Sequence, residues 1–273
     1  MTKEEDYLYE HAPLVEVIAE LRWQLVPIAS MPGAELDPNF ERSHGKVADN
    51  LAKLGFGHIE RLPPSDFPSE MLAGQPVFRY RRAPNTWPLF QLGPGLFTAN
   101  ITPPYEGWAD FRVTLEAGLG ALDAAFQLGT EFAMPRLIEL RYLDAFTEQH
   151  GVDRVAEFMT EHLSLDLKPS DRLRTAIMHP ESEHVPLAEL RFPLARDPQD
   201  VFVLKATPGT REGRPAVILD LRVRRSVENG AVTNAAEALK WLDAAHADLH
   251  EAFENTISDK LRERLGERRP VRS

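Results

Sequence analysis

PLFQLGPGLFTANITPPYEGWADFR, Pro88 to Arg112, is the most specified part of the chain. Leu89, Phe90 and Gln91 read as a short strand. Gly93-Pro94-Gly95 follows as a tight turn, because glycine reaches backbone angles closed to other residues and proline fixes φ. Leu96 to Ile101 returns as a second strand, and Pro103-Pro104 ends it. Tyr105, Glu106, Gly107 and Trp108 then lead into a helix from about Ala109 to Gln127. Phe111, Leu115, Leu119, Leu122 and Phe126 recur along it at helical spacing. Gly118 and Gly120 weaken this helix or let another element approach it closely.

Upstream of the hairpin, Val77 to Arg82 reads as a strand and residues 57–75 as irregular. Asn39 to Leu54 reads as a helix with Phe40, Val47, Leu51 and Leu54 inward and Gly55 as its stop. Leu14 to Trp23 is a strand with Val15, Val17, Ala19 and Leu21 on one face. Leu14, Glu16, Ile18, Glu20 and Arg22 share the other. Residues 1–12 read as a flexible lead.

Downstream, Arg136 to Phe146 is a strand at the hinge between halves, and Val152 to Leu163 a helix. Arg172 to Met178, Val185 to Leu194, Val201 to Ala206 and Arg214 to Val223 read as strands, with a turn at Pro208-Gly209 before the last. Asn234 caps a long helix to about Leu265, with Leu239, Leu242, Ala245, Leu249, Phe253 and Ile257 along one side. Each half, 1–134 and 135–273, thus runs strand, helix, antiparallel strands, long helix. The predicted class is α+β, with helices covering one face of the sheet and a possible internal duplication. A shared word supports the repeat: Ala19-Glu20-Leu21-Arg22-Trp23, Ile138-Glu139-Leu140-Arg141-Tyr142 and Ala188-Glu189-Leu190-Arg191-Phe192. Antiparallel neighbours carrying it are expected to form Glu–Arg cross-strand pairs.

The chain has 273 residues, no cysteine and a net charge of −11. Thiol nucleophiles, disulfides and thiolate metal sites are therefore excluded. The acidic balance argues against a broad nucleic-acid surface, which needs a basic stripe. The tail from Lys260 to Arg272 is basic and leaves a local contact open. It also reads as a helix C-terminus whose cations favour the macrodipole, followed by a solvated end. No apolar run is long enough to span a membrane, and the first residues lack an apolar signal core, so the expected location is cytoplasmic.

The search for chemistry yields candidates and no catalytic signature. His246 and His250 lie four apart on the last helix, but the metalloprotease word needs a Glu where Ala247 stands. His179 and His184 flank a polar loop that reads as a solvated turn. Gly93-Pro94-Gly95 lacks the Lys-Ser/Thr of a phosphate loop, and no Gly-x-Ser-x-Gly elbow occurs. No metal site and no cofactor are expected. Glu16, Glu20 and Arg22 form a buried ionic cluster if a helix covers their face, and a solvated sheet surface otherwise. Asn100, Tyr105, Trp108, Arg112 and Arg141 gather at the aromatic corner. They read either as a partner-binding surface or as packing, with Asn100 bonding its own backbone.

Tyr9-Glu10-His11-Ala12-Pro13-Leu14-Val15-Glu16-Val17, the span Phe90 to Phe111, and Leu140-Arg141-Tyr142 together resemble an uncharacterised, sporadically distributed bacterial family of about this length. Its members share an A-P-x-x-E start, a G-P-G…N…P-P-Y-x-G-W centre and an R-Y strand. The positions that match are Pro13, Glu16, Gly95, Asn100, Pro104, Tyr105, Trp108, Phe111, Arg141 and Tyr142. The resemblance implies a patchily inherited bacterial protein, as accessory genes of toxin–antitoxin or phage-defence type are.

Two functional classes follow. One is a non-catalytic protein-binding or regulatory protein whose partner is another protein or a second copy of itself. The other is a small-ligand-binding protein or enzyme with a pocket between sheet and helix. Glu16, Glu20, Arg22, Asn100, Tyr105, Trp108, Arg112, Arg141 and Tyr142 are the candidate binding residues.

Overall fold

The computed structural model describes residues 7–64, 67, 71–131, 133–165, 170–177, 187–227 and 231–271. In chain order the elements are β1 (Tyr7–Tyr9), β2 (Leu14–Trp23), β3 (Val26–Pro27), β4 (Glu35–Leu36), α1 (Pro38–Lys53), β5 (His58–Arg61), β6 (Phe78–Arg81), β7 (Leu89–Gly93) and β8 (Leu96–Ile101). Then come α2 (Trp108–Phe126), β9 (Pro135–Phe146), a 3-10 turn (Glu148–His150), α3 (Val155–His162), α4 (Asp171–Ile177), β10 (Ala188–Pro193), β11 (Asp200–Arg211) and β12 (Arg214–Ser226). The chain closes with α5 (Ala235–Thr256), α6 (Asp259–Arg264) and β13 (Arg268–Pro270). The class is α+β, as the sequence predicts.

Nine strands form one antiparallel sheet in the order β10-β11-β12-β9-β2-β8-β7-β6-β5. The segments 1–134 and 135–273 share it, joined where β2 pairs with β9. In each segment the first strand lies beside the last strand of the meander that follows: β2 beside β8, and β9 beside β12. Alternation sorts the central strands into an apolar and a polar face. Val17, Ala19, Leu21, Phe97, Ile138, Leu140, Leu219, Leu221 and Val223 are buried in the core. Helices α2 and α5 press onto that face, with Leu115, Leu119 and Leu242 against Ala19, Leu21, Phe97 and Ala99.

The hairpin that opens the argument forms as read, with Pro94 and Gly95 between Gly93 and Leu96. Gly95 takes φ +72°, a left-handed value that disfavours any side chain. One buried carboxylate ties this turn to its surroundings. Asp37 caps α1 by accepting from the Asn39 and Phe40 amides, and also accepts from the Gly95 amide at 2.8 Å and the Trp23 indole at 2.7 Å. Gly118 is the close-approach glycine: a Cβ there would stand 2.1 Å from the Phe90 ring, so α2 lies against β7 only because none is present.

Several expectations are corrected. Tyr7–Tyr9 is not a loose lead; it pairs with Arg268–Pro270. The basic tail is correspondingly engaged. Arg268 and Arg262 bond Glu254, Arg269 bonds Glu10, and Arg264 donates to the His150 carbonyl. Arg272 lies outside the described residues. Within 57–75, His58–Arg61 adds an edge strand. Asp171–Ile177 is helical, in keeping with its Leu, Arg and Ala content and its acidic first turn. Pro208 and Gly209 continue β11, and the turn falls at Glu212-Gly213, where φ is +53° and +77°. Two consecutive left-handed residues suit a two-residue hairpin loop. The last helix is two helices: it stops at Ile257, and Ser258 caps α6 by accepting from the Leu261 amide.

The shared word does not make the predicted Glu–Arg pairs between strands. In the β2–β9 register Glu20 faces Glu139, while Arg141 faces Ile18 and Arg22 faces Leu137. Arg22 turns back to Glu20 along its own strand, as Arg191 does to Glu189.

Candidate functional site

A cavity of about 320 Å³ lies between the apolar sheet face and α5, at the small end of the range typical of ligand sites. Its floor is Tyr142 and Asp144 on β9, Leu221 on β12 and Leu14 on β2. His246, Leu249, His250, Phe253 and Glu254 of α5 form one wall. Tyr7 to Glu10 and Ala12 form another, and Pro103 and Tyr105 of the aromatic corner the third. Each part has a sequence reason. The i, i+3, i+4 spacing of α5 brings His246, Leu249, His250 and Phe253 onto one helix face. A bulge at the start of β2 shifts its phase, so that Leu14 and Val17 are both buried. β13 pairs with β1, whose residues line the cavity.

The aromatic groups are hydrogen-bonded and stacked. The Tyr105 and Tyr142 hydroxyls lie 3.3 Å apart, and the Tyr142 hydroxyl is 2.9 Å from His246 Nδ1. Trp108 stacks on the back of His246, centroids 4.6 Å apart and planes 6° apart. The Trp108 indole donates to Asp243 at 3.0 Å, and Arg112 Nε donates to the same carboxylate at 2.8 Å. His250 meets the Tyr7 ring edge-on. Tyr9 donates to Glu254 at 2.9 Å, and the Arg268 guanidinium lies 4.2 Å from the Tyr7 ring centroid. Burial, reinforced by Glu254, pushes the Tyr7 hydroxyl far above the usual phenol range. Burial also raises that of Tyr9.

Asp144 is the anomaly. Among the described residues four aspartates are buried: Asp37, Asp144, Asp200 and Asp220. Asp37 holds four donors. Asp200 holds Arg196, Arg225 and the Trp241 indole, and Asp220 holds Arg141 and Arg222. Asp144 is 5% exposed, and none of the described residues hydrogen-bonds or ion-pairs with its carboxyl, which borders the cavity. Burial, with a contribution from the Asp220 charge, pushes its pKa up to about 7.

Of the residues singled out in the sequence, Tyr105 and Tyr142 line this cavity, and Trp108 and Arg112 brace it from behind. Glu16, Glu20, Arg22, Asn100 and Arg141 do not contribute. Alternation places them on the opposite face of the sheet, in a polar grid. Asn100 donates to Glu16 at 2.8 Å rather than bonding its own backbone, and Thr98 donates to Asn100 at 2.7 Å. Arg141 forms a paired contact with Asp220 at 2.9 and 2.7 Å. Glu139 stands within 3.9 Å of Arg222, and burial together with the facing Glu20 raises its pKa against the pull of Arg222.

Among the described residues no three His, Asp or Glu side chains gather into a metal-binding group. His179 and His184 lie outside the described residues. Among those described, no helix is long and apolar enough to cross a membrane. A wider depression of about 690 Å³ beside the 3-10 turn is lined largely by exposed polar side chains, including Glu148, Glu212 and Arg214, and has no apolar wall.

Sequence reasoning passed over Asp144 and Tyr7, met Tyr9 only in the family resemblance, and weighed His246, His250 and the nearby Glu254 only as metal candidates. The signal for Asp144 was present. From Ile138 the alternation runs through Leu140, Tyr142 and Asp144 to Phe146, which puts one carboxylate on a core-facing row. No protein-family model, curated protein or solved structure matches the chain.

Proposed function

We propose that the chain binds a small organic molecule in the cavity between β2, β9, β12 and α5. The observation that carries this reading is Asp144. A buried carboxyl without a partner carries a desolvation cost that the other buried aspartates avoid, and such groups concentrate at functional sites. Here it borders a cavity of ligand size with aromatic walls. Fragment screening by NMR tests the reading through the imidazole signals of His246 and His250. Small organic fragments are expected to shift both rings. A diverse library in which no fragment shifts either ring overturns it.

A protein-binding or regulatory role is favoured by a different observation, at the sheet edge. β10 pairs with β11 and, among the described residues, with no second strand. Leu187, Leu190 and Phe192 there are 62%, 45% and 48% exposed. An apolar, unpaired edge is a template for another strand. A second copy of this chain fits it, because antiparallel pairing centred on Leu190 sets Glu189 opposite the second copy's Arg191. Light scattering should then show a dimer that Leu190→Lys dissociates; a monomer at the highest attainable concentration removes this occupant. The patchy inheritance implied by the family resemblance accords with an accessory gene of toxin–antitoxin or phage-defence type.

The strand order also supports an internal duplication. In both segments the first strand sits beside the last of its own meander, and Glu20 and Glu139, equivalent letters of the shared word, face each other as a local two-fold axis would place them. Superposing β2, β6, β7, β8 and α2 on β9, β10, β11, β12 and α5 should bring the Phe111 helix onto the Trp241 helix. Divergent helix positions would end the idea.

A further inference from the structure

We propose that the ligand of this cavity is an organic ammonium ion, an amine with an apolar or aromatic body, whose charged head pairs with Asp144 while the Tyr and Phe walls hold the body. The inference rests on the small-molecule reading above and names its ligand class. Three observations lead to it.

The first is the charge of the lining. Its ionisable groups among the described residues are the carboxyls of Asp144, Glu254 and Glu10, the two imidazoles of His246 and His250, and the tyrosine hydroxyls, with no Lys or Arg. Arg262 and Arg268 offset Glu254, and Arg269 offsets Glu10, so Asp144 is the lining carboxyl that an anion would meet without a fixed cation among the described residues. The second is the partner that Asp144 lacks. Glu254 is occupied by Tyr9, Arg262 and Arg268, but among the described residues nothing meets Asp144. A buried carboxylate becomes favourable when a hydrogen-bonding cation reaches it. The third is the character of the walls. Aromatic faces attract cations, and the chain already places one on a lining ring, the Arg268 guanidinium 4.2 Å from the Tyr7 centroid. The body of the ligand then lies against Tyr142, Leu249 and Phe253.

Binding of an ammonium ion requires Asp144 to be ionised. The groups facing it are Tyr142 on its own strand, His246, His250 and Glu254 on α5, Tyr7, Tyr9 and Glu10 on the β1 side, and Tyr105 at the corner; Asp220 repels it from β12. Because other ionisable groups line the same cavity, substitution at Asp144 rather than pH alone carries the test.

The test uses three probes of one shape: phenethylamine, 2-phenylethanol and 3-phenylpropanoate, titrated into the full chain and followed at the His246 and His250 ring signals. The amine is expected to bind at least about tenfold more tightly than the alcohol or the acid, the scale of one charge-assisted hydrogen bond. In Asp144→Asn the preference of amine over alcohol should fall to within about twofold, with alcohol affinity retained. Asp144→Leu, similar in size and free of any polar group, should give the same collapse and guards against an amide that misplaces the floor. If alcohol or acid binds the cavity as tightly as the amine, or if both variants keep the tenfold preference, the cation assignment is wrong while the small-molecule reading stands. If none of the three probes moves either ring, the ammonium assignment falls, and the fragment library decides the small-molecule reading.

Discussion

Two buried aspartates on adjacent strands of the central sheet are treated in opposite ways. Asp144 on β9 and Asp220 on β12 belong to adjacent strands, are each 5% exposed, and point to opposite sides. Asp220 is gripped by Arg141 at 2.9 and 2.7 Å and by Arg222 as well. Asp144 sits among Leu14, Tyr142 and Leu221 at the edge of a cavity, with none of the described residues bonded to it. Burial alone therefore does not separate them. Asp200, buried on the helix side, is also paired, with Arg196, Arg225 and the Trp241 indole of α5, so Asp144 differs by lacking a partner among the described residues.

The largest expected effect tests whether packing holds the helix side. Trp108 is 7% exposed, meets Phe111 edge-on, stacks on His246 and donates to Asp243 on α5. Trp108→Ala should cost about 3–5 kcal/mol, the usual range for a buried aromatic, and lower the unfolding midpoint sharply. Tyr105→Ala, which removes a half-buried ring at the cavity wall, should cost less. Thermal unfolding of both variants beside ligand titration checks this. Near-native stability with binding lost in Trp108→Ala would recast the corner as a recognition surface.

Next comes the sign reversal at Asp144. With its folded pKa near 7, above the unfolded value of about 4, the unfolded chain ionises first as pH rises. The protein then loses stability between those two values and stays level above them, with the loss on the order of 4 kcal/mol at most. Asp144→Asn should remove this slope, leaving a variant more stable than the parent at about pH 8 and little changed near pH 4. Urea unfolding of both proteins across that range measures it. A parent whose stability rises over the same interval shows that Asp144 has a partner in solution.

Asp220→Asn should act in the other direction. It strips two guanidinium groups of their shared anion on a face where Arg141 and Arg222 keep side-chain exposures of 29% and 25%. Partial solvation softens the loss, so a cost of about 1–3 kcal/mol is expected at neutral pH. Denaturant midpoints compared with those of Asp144→Asn give the contrast: one aspartate stabilises when removed, the other destabilises. Equal signs would erase the distinction between the two aspartates.

The fold was legible wherever local signals suffice. The Pro94-Gly95 hairpin, the alternation of β2 beyond its first bulge and the apolar stripes of α2 and α5 are short-range patterns; in α1 Phe40, Val47 and Leu51 are buried as read, but Leu54, expected inward, is 41% exposed at the C-cap. What escaped needed distant partners. Tyr7–Tyr9 is a strand only because Arg268–Pro270 pairs with it from the far end of the chain. The cavity is assembled from β1, β9, β12, α5 and the Tyr105 corner, so Asp144 shows as a core-row carboxylate in the sequence while its lack of a partner does not. Register is equally silent. Nothing in the shared Glu-Leu-Arg word says whether Glu20 will meet an arginine or Glu139. A two-residue slip would keep both faces intact and change every pair.

That last pairing supplies the smallest expected effect. Glu20 and Glu139 face each other across β2 and β9, side chains 19% and 13% exposed. Burial first, and then the Glu20 charge, raises the Glu139 pKa, while Arg222, Arg141 and Arg224 oppose the rise. In Glu20→Gln the repulsion disappears and the burial remains. The Glu139 titration, followed by NMR of its side-chain carboxyl, should therefore move down without returning to the free-glutamate value. The sign for stability follows. A carboxyl whose folded pKa is raised loses stability as pH climbs from its unfolded to its folded value. Lessening the rise should leave Glu20→Gln more stable by a few tenths of a kcal/mol above that window, the usual scale for facing like charges, and unchanged below it. Because Arg22 turns to Glu20, its release offsets part of the gain, and Arg22→Gln in the same background separates the two. A Glu139 titration that does not move in Glu20→Gln would mean that the arginines already screen the pair, and that the polar face tolerates its like charges at no cost.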